Sequence, residues 1–201
     1  MLEMMLGGKP AATGGQQLFT TAGTFSFIVP NGVTLLDTYN QGGGGGGGNG
    51  NSSTYKGSNG IPGRVGAPAY VNDIPVTPGE TLTIVVGAGG ALVTAGEATQ
   101  LLRGSTVLAT APGGAAGANS GSVGSSENNV GVAGTAATTI PGNTTTYTAT
   151  NKRPGSSGNG GAGYSNGSGK LSATAGIAGG LRLMWGNGRD YPATGVADVK
   201  M

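Results

Sequence analysis

Apolar side chains in this sequence recur at every second position. Phe25, Phe27 and Val29 alternate with Thr24, Ser26 and Ile28, and Leu82, Ile84 and Val86 are separated by Thr83 and Val85. A period of two marks a strand with one face turned to a core. The same reading gives a short strand at Leu18-Phe19-Thr20, one running through Val33, Leu35 and Asp37 to Tyr39, one from Tyr70 to Val76, and a last one from Leu181 to Trp185. Turn chemistry separates them. Pro30-Asn31-Gly32 is a turn signal, and Thr77-Pro78-Gly79-Glu80 carries Pro and Gly at the two central places of a type II turn. Residues 97–111 read as a hairpin around Arg103-Gly104-Ser105. No helical period is sustained over ten residues, so the predicted class is all-β.

Between these strands lie two long stretches with almost no bulky side chains, residues 41–66 and 112–180. The first opens with seven consecutive glycines, Gly42 to Gly48; the second repeats glycine at short spacings, often three, as at Gly155, Gly158 and Gly161. Gly makes up 45 of the 201 residues, about three times its usual share. A flexible linker is one explanation of such stretches. Flanking strands that must pair with one another place them inside a domain, where long structureless loops are uncommon. A phosphate cradle is a second explanation, but a polyglycine run matches G-x-G-x-x-G trivially, and no helix follows it. The third is packing. Without Cβ atoms, extended segments can lie backbone against backbone, as collagen does with glycine at every third residue. The spacing therefore suggests polyglycine II-type rods bundled on a β-scaffold and bonded from rod to rod.

Charge and chemistry narrow the picture. Charged residues are 9% and aromatic residues 5% of the chain, with a net charge of +2. Disordered chains are usually richer in charge. Scattered Lys and Arg without a basic stripe leave nucleic acid without its electrostatic footprint. There is no Cys and no His, which removes disulfides, thiolate chemistry, Ser-His-Asp triads and the usual zinc ligands. No cofactor is expected. Asp37, Asp73, Glu80, Glu97, Glu127, Asp190 and Asp198 contain the side chains that a glycosidase pair would need, yet most fall at turns or strand ends, where solvation explains them. The chain is expected not to be an enzyme. The apolar start, with Leu2, Met4, Met5 and Leu6, is too short and too polar at Glu3 for a signal peptide or a membrane span. A frayed end and a segment that docks on a partner protein are its two readings. The domain division that follows is a docking segment at 1–16 and one glycine-rich domain at 17–201, with insertions at 41–66 and 112–180.

Four stretches, in order, resemble the glycine-rich domain of bacteriophage tail proteins. "FTTAGTFSFIVPNGVT" is similar to that family's opening hairpin, and the next strand runs directly into "GGGGGGG". "YVNDIPVTPGETLTIVVGAGG" is similar to its middle hairpin, and "GGLRLMWGNGRDYPATGVADV" to a closing strand followed by the Trp-Gly-x-Gly-Arg-x-Tyr-Pro tail of many tail-fibre and adhesin proteins. The resemblance implies a β-sandwich, jelly-roll-like, carrying polyglycine-type loops. It also implies a virion protein on the tail or particle surface, with other phage structural proteins as partners, assembly with further copies of itself among the expectations, and a host outer-membrane protein or polysaccharide as receptor.

On that expectation the protein attaches the particle to its host as a tail-fibre or tail-tip adhesin. The alternative is a capsid or tail cement protein that binds no receptor, and a polysaccharide depolymerase stands third. Tyr55, Lys56, Tyr147, Lys152, Arg153 and Tyr164 are the candidate receptor contacts, being the large or charged side chains inside the glycine-rich stretches; aromatic and cationic residues dominate binding hot spots. The alternative for each Tyr is that it covers local backbone. Leu2, Met4, Met5, Leu6, Trp185, Arg189 and Tyr191 are the candidate assembly contacts. For Trp185 the competing reading is an anchor of the last strand in the core.

Overall fold

The computed structural model describes residues 14–50, 60–119 and 173–186. Eight strands form two antiparallel four-stranded sheets, and among the described residues there is no helix. The strands are β1 (Gly15–Phe19), β2 (Gly23–Ile28), β3 (Leu35–Gln41), β4 (Pro68–Pro75), β5 (Thr81–Val86), β6 (Thr99–Arg103), β7 (Thr106–Ala111) and β8 (Gly180–Trp185). One sheet has the order β1-β8-β3-β4 and the other β2-β5-β6-β7. Their inner faces supply one core from Phe19, Phe27, Val29, Val33, Leu36, Ile74, Val76, Leu82, Ile84, Val86, Leu101, Leu181 and Leu183. Two tilted aromatic pairs lock it, Phe19 with Phe25 at 5.4 Å and Phe27 with Trp185 at 5.6 Å between ring centroids.

The expected β-sandwich is therefore present, with local corrections. The first strand starts at Gly15 rather than Leu18, because its pairing with β8 runs from Gly15 opposite Trp185 to Phe19 opposite Leu181. In β3 the core residue is Leu36, while Leu35 is 48% exposed. Leu36 keeps step with Thr38, which pairs with the core residue Leu183. Beside it β4 carries a β-bulge: between the pairs Leu36–Ile74 and Thr38–Val71, the single Asp37 faces both Asn72 and Asp73. Asp73 takes a φ of 56°, a left-handed conformation that Asp tolerates better than most residues. The Asp73 amide donates to Asp37 Oδ1 at 2.8 Å.

Turn chemistry holds as expected. Gly79 has a φ of 82° and Glu80 N–H donates to Thr77 C=O at 2.9 Å, and Gly104 opens the two-residue β6–β7 turn with a φ of 57°. Arg103 clamps this end of the sandwich by donating to Glu80 and to the Pro75 carbonyl. The Arg103 hydrogen bond, and after it the Thr77 amide, hold the Glu80 carboxyl below its ordinary range. A carboxyl lowered on folding stabilises the protein above its unfolded value, and that stability disappears as pH falls through the lowered one. Wild-type stability is thus expected to fall by up to about 1 kcal/mol on acidification through this window, an exposed pair being weak. Urea titrations of Arg103→Ala across pH should lack most of that increment.

Candidate functional site

The strands of the sandwich do not end in loose loops. Beyond Gln41 the internal strand β3 continues as the extended segment Gly42–Gly48, all seven residues of which are buried. Each of their amides donates to another segment, at 2.8–3.0 Å, and the recipient changes with a period of three. Gly42, Gly45 and Gly48 bond to Ala67, Arg64 and Ile61; Gly43 and Gly46 to Glu97 and Thr94; Gly44 and Gly47 to Ile177 and Thr174. The three recipient rods, at residues 60–67, 94–98 and 173–179, run antiparallel to the central one. Two parallel rods return bonds to it. Gly114 and Gly117 donate to the carbonyls of Gly43 and Gly46, and Gly90 and Val93 to those of Gly44 and Gly47. Threefold rotation of donors along an extended chain is the geometry of polyglycine II, a helix of three residues per turn that has no bonds of its own.

The energetics of the rod follow from that pattern. Ordering seven residues costs roughly 7–14 kcal/mol of backbone entropy. Among the described residues the rod donates seven and accepts four hydrogen bonds, which at about 1 kcal/mol net each return a similar amount. The rod is stable only because its neighbours surround it.

Neighbouring rods are themselves fixed by the sandwich. Rod 60–67 leads into β4 and rod 173–179 into β8, the two strands that flank β3. Residues 87–98 leave β5, turn and return into β6, and residues 112–119 prolong β7. The bundle thus inherits its layout from the strand order. Polar side chains seal the junction: Thr99 Oγ1 accepts from Gly87 N–H at 3.0 Å, and Gln41 Nε2 donates to the Gly66 carbonyl.

The five outer rods among the described residues have their far ends together. Gly48 bonds to Ile61, Val93 to Gly47, and Gly47 to Thr174, all at the last turn of the central rod; Asn119 Oδ1 accepts from Asn49 N–H at 2.8 Å and ties the ends of two rods. This distal end presents exposed aliphatic side chains: Ile61 at 58%, Leu92 at 41% and Val93 at 42%. Val93 holds a φ of 57°, a strained conformation for a β-branched residue. It occupies the turn between rods 87–93 and 94–98, closed by Thr94 N–H to Ala91 C=O at 3.0 Å.

None of the six candidate receptor contacts falls among the described residues. Tyr55 and Lys56 lie in residues 51–59, and Tyr147, Lys152, Arg153 and Tyr164 in residues 120–172, all outside the described residues. Both connections nevertheless begin and finish at the distal end, the first between Gly50 and Gly60 and the second between Asn119 and Ala173. Leu2, Met4, Met5 and Leu6, and likewise Arg189 and Tyr191, also lie outside the described residues. Trp185 is described, and its indole packs inside the sandwich against Phe27 and over Gly15. The turn at Leu92-Val93 was missed. Its signal was present in Gly87, Gly90 and Gly96, spaced three and then six residues apart, which continues the rod pattern through a stretch shorter than the two excursions.

Three acids of the described part have structural work. Asp37 serves the bulge amide, Glu80 the Arg103 clamp, and Glu97 Oε2 accepts from Ala88 N–H at 3.1 Å.

Residues 20–199 match the profile of the family described as "Glycine-rich domain". The chain belongs to this glycine-rich domain family. No curated protein matches the sequence. In this glycine-rich domain, the matched span takes in seven of the eight described strands and every described rod.

Proposed function

We propose that this protein is a phage virion adhesin of the tail fibre or tail tip, which attaches the particle to the host surface. Its mechanism is contact recognition without chemistry: a sandwich carries a stiff bundle, and the bundle carries the recognition loops. The observation that supports this reading most is the topology of the distal end. Every described rod terminates there, and the two connections that contain Tyr55, Lys56, Tyr147, Lys152, Arg153 and Tyr164 are rooted there. Loops on a rigid frame are where recognition concentrates. Rods already ordered by bonds to one another lose little further entropy when their ends engage a partner. The tail location rests on the resemblance of the sequence to phage tail domains.

The test is adsorption. Purified protein should bind the host bacterium and compete with phage particles for attachment. Changing the six candidate contacts together to Ala should weaken that competition at least about tenfold, since hot-spot losses commonly exceed 1 kcal/mol each, while circular dichroism stays that of the parent. Protein that ignores bacteria, but whose loss makes particles sensitive to heat, would establish the cement role instead. Release of sugars from host polysaccharide would establish a depolymerase.

A further inference from the structure

Among the described residues seven have a positive φ, and five of them are glycines. The other two are Asp73 and Val93. Asp tolerates a left-handed backbone, and the Asp73 amide serves the bulge of β4. Val93 has no such reason. Its turn has a form that the sandwich uses twice more, at the end remote from the bundle. The turns at residues 30–33 and 77–80 are each closed by a bond from the fourth amide to the first carbonyl, and each puts glycine third, Gly32 at a φ of 83° and Gly79 at 82°. The turn at residues 91–94 is closed in the same way and puts valine third, at 57°. A β-branched side chain strains the backbone there. In a chain with 45 glycines, the distal turn is the one of these three that withholds glycine.

Burial does not offset this strain. Leu92 and Val93 are both exposed and belong to neither apolar cluster of the fold. Strain held at an exposed site points to a use outside the fold. We propose that the Leu92-Val93 turn is a receptor contact that seats in an apolar recess of a host outer-membrane protein; the inference rests on the adhesin reading and names the class of receptor. The chemistry of the distal end selects that class. Asn49, Ile61, Leu92, Val93, Asn119 and Thr174, described residues around the last turn of the central rod, include no charge and no aromatic ring. Aliphatic side chains leave the hydroxyls and charges of a polysaccharide unpaired, which costs free energy on contact. An apolar protein recess gains by burying them, and depletion of charge is the mark of a protein–protein interface core. Two adjacent aliphatic side chains at the apex of a turn also suit a recess in shape. The turn is ordered beforehand, since Val93 N–H donates to the Gly47 carbonyl at 3.1 Å, so seating it costs little further entropy.

Stability and binding of the full chain, measured side by side, test this. Val93→Gly should shift the unfolding equilibrium about threefold toward the native state, because lifting the left-handed penalty outweighs the extra freedom of an unfolded glycine. The same variant should bind outer-membrane vesicles of the host at least about tenfold more weakly, as loss of a hot-spot side chain does. Leu92→Ser, which leaves the strained position alone, should lose binding to a similar degree with the circular dichroism of the parent. Vesicles shaved with protease should bind the parent poorly, and purified surface polysaccharide of the same host should not compete. A Val93→Gly protein less stable than the parent would make Val93 a structural residue and overturn the proposal. So would parent-like binding by both variants, which leaves the adhesin reading standing without this contact. Binding that survives shaving and yields to polysaccharide overturns the receptor class. A parent that binds neither vesicles nor bacteria removes the adhesin reading and this inference together.

Discussion

Gly46→Ala is expected to destabilise the protein by about 3 kcal/mol or more, at the upper end of the range for overpacking a filled interior. A Cβ built at Gly46 meets the Ala91 carbonyl oxygen at 1.8 Å and its carbon at 2.5 Å. Both atoms belong to backbone, so no side chain can rotate away. Relief requires moving rod 87–93 as a whole, and with it the bonds from Gly90 and Val93 to the central rod. Gly45→Ala should behave alike, because its Cβ would lie 1.9 Å from the Ala115 oxygen. The informative comparison is Gly79→Ala. Gly79 has a φ of 82° but open space around it, so only the conformational penalty of about 1 kcal/mol applies. Chemical denaturation of the three variants separates the causes. Were Gly46→Ala no worse than Gly79→Ala, the rods would not be in contact, and the stiff-bundle mechanism would lose its basis.

Amide exchange gives the second large effect. In a flexible linker Gly42–Gly48 would exchange at random-coil rates. Here every one of those amides is buried and donates to a carbonyl, so exchange waits for the surrounding rods to open. Protection should approach that of the core strand β5, whose Leu82 and Ile84 are fully buried, and for a stability of 5–15 kcal/mol this means slowing by a factor of about 10³ or more. Gly46→Ala should lower protection along the whole central rod while leaving β5 less affected. The two results are linked: one tests that the rods touch, the other that touching makes them rigid.

Legibility of the sequence follows the physics of each element. β2 and β5 were plain, because alternate apolar residues have no other use in a short segment, and the Pro78-Gly79 turn was plain because only glycine fits its second central position. β3 was misplaced by one residue at Leu35 and Leu36, since Val33 reaches the core from the turn before the strand begins, and alternation counted from it runs out of step with the strand. The rod pair at 87–98 was not legible as an excursion, because a dozen small residues between strands also describe an ordinary loop.

What the sequence determined by itself is the list of materials: alternating strands for a sandwich, turn residues at its corners, and glycine at one-residue or three-residue spacing between them. That much is local, fixed by side-chain periodicity and by the absence of Cβ. What only the tertiary structure decided is which rod lies in the centre and which surround it. The uninterrupted glycine run follows β3, an internal strand, so it is enclosed from several sides, and a Cβ at Gly42, Gly43, Gly45, Gly46 or Gly48 would run into neighbouring backbone. Outer rods meet neighbours on fewer sides, and can carry Ala, Thr or Ile between their glycines. Strand order is a long-range property of the fold, and it converts a string of glycines from a flexible tether into the axis of a bundle.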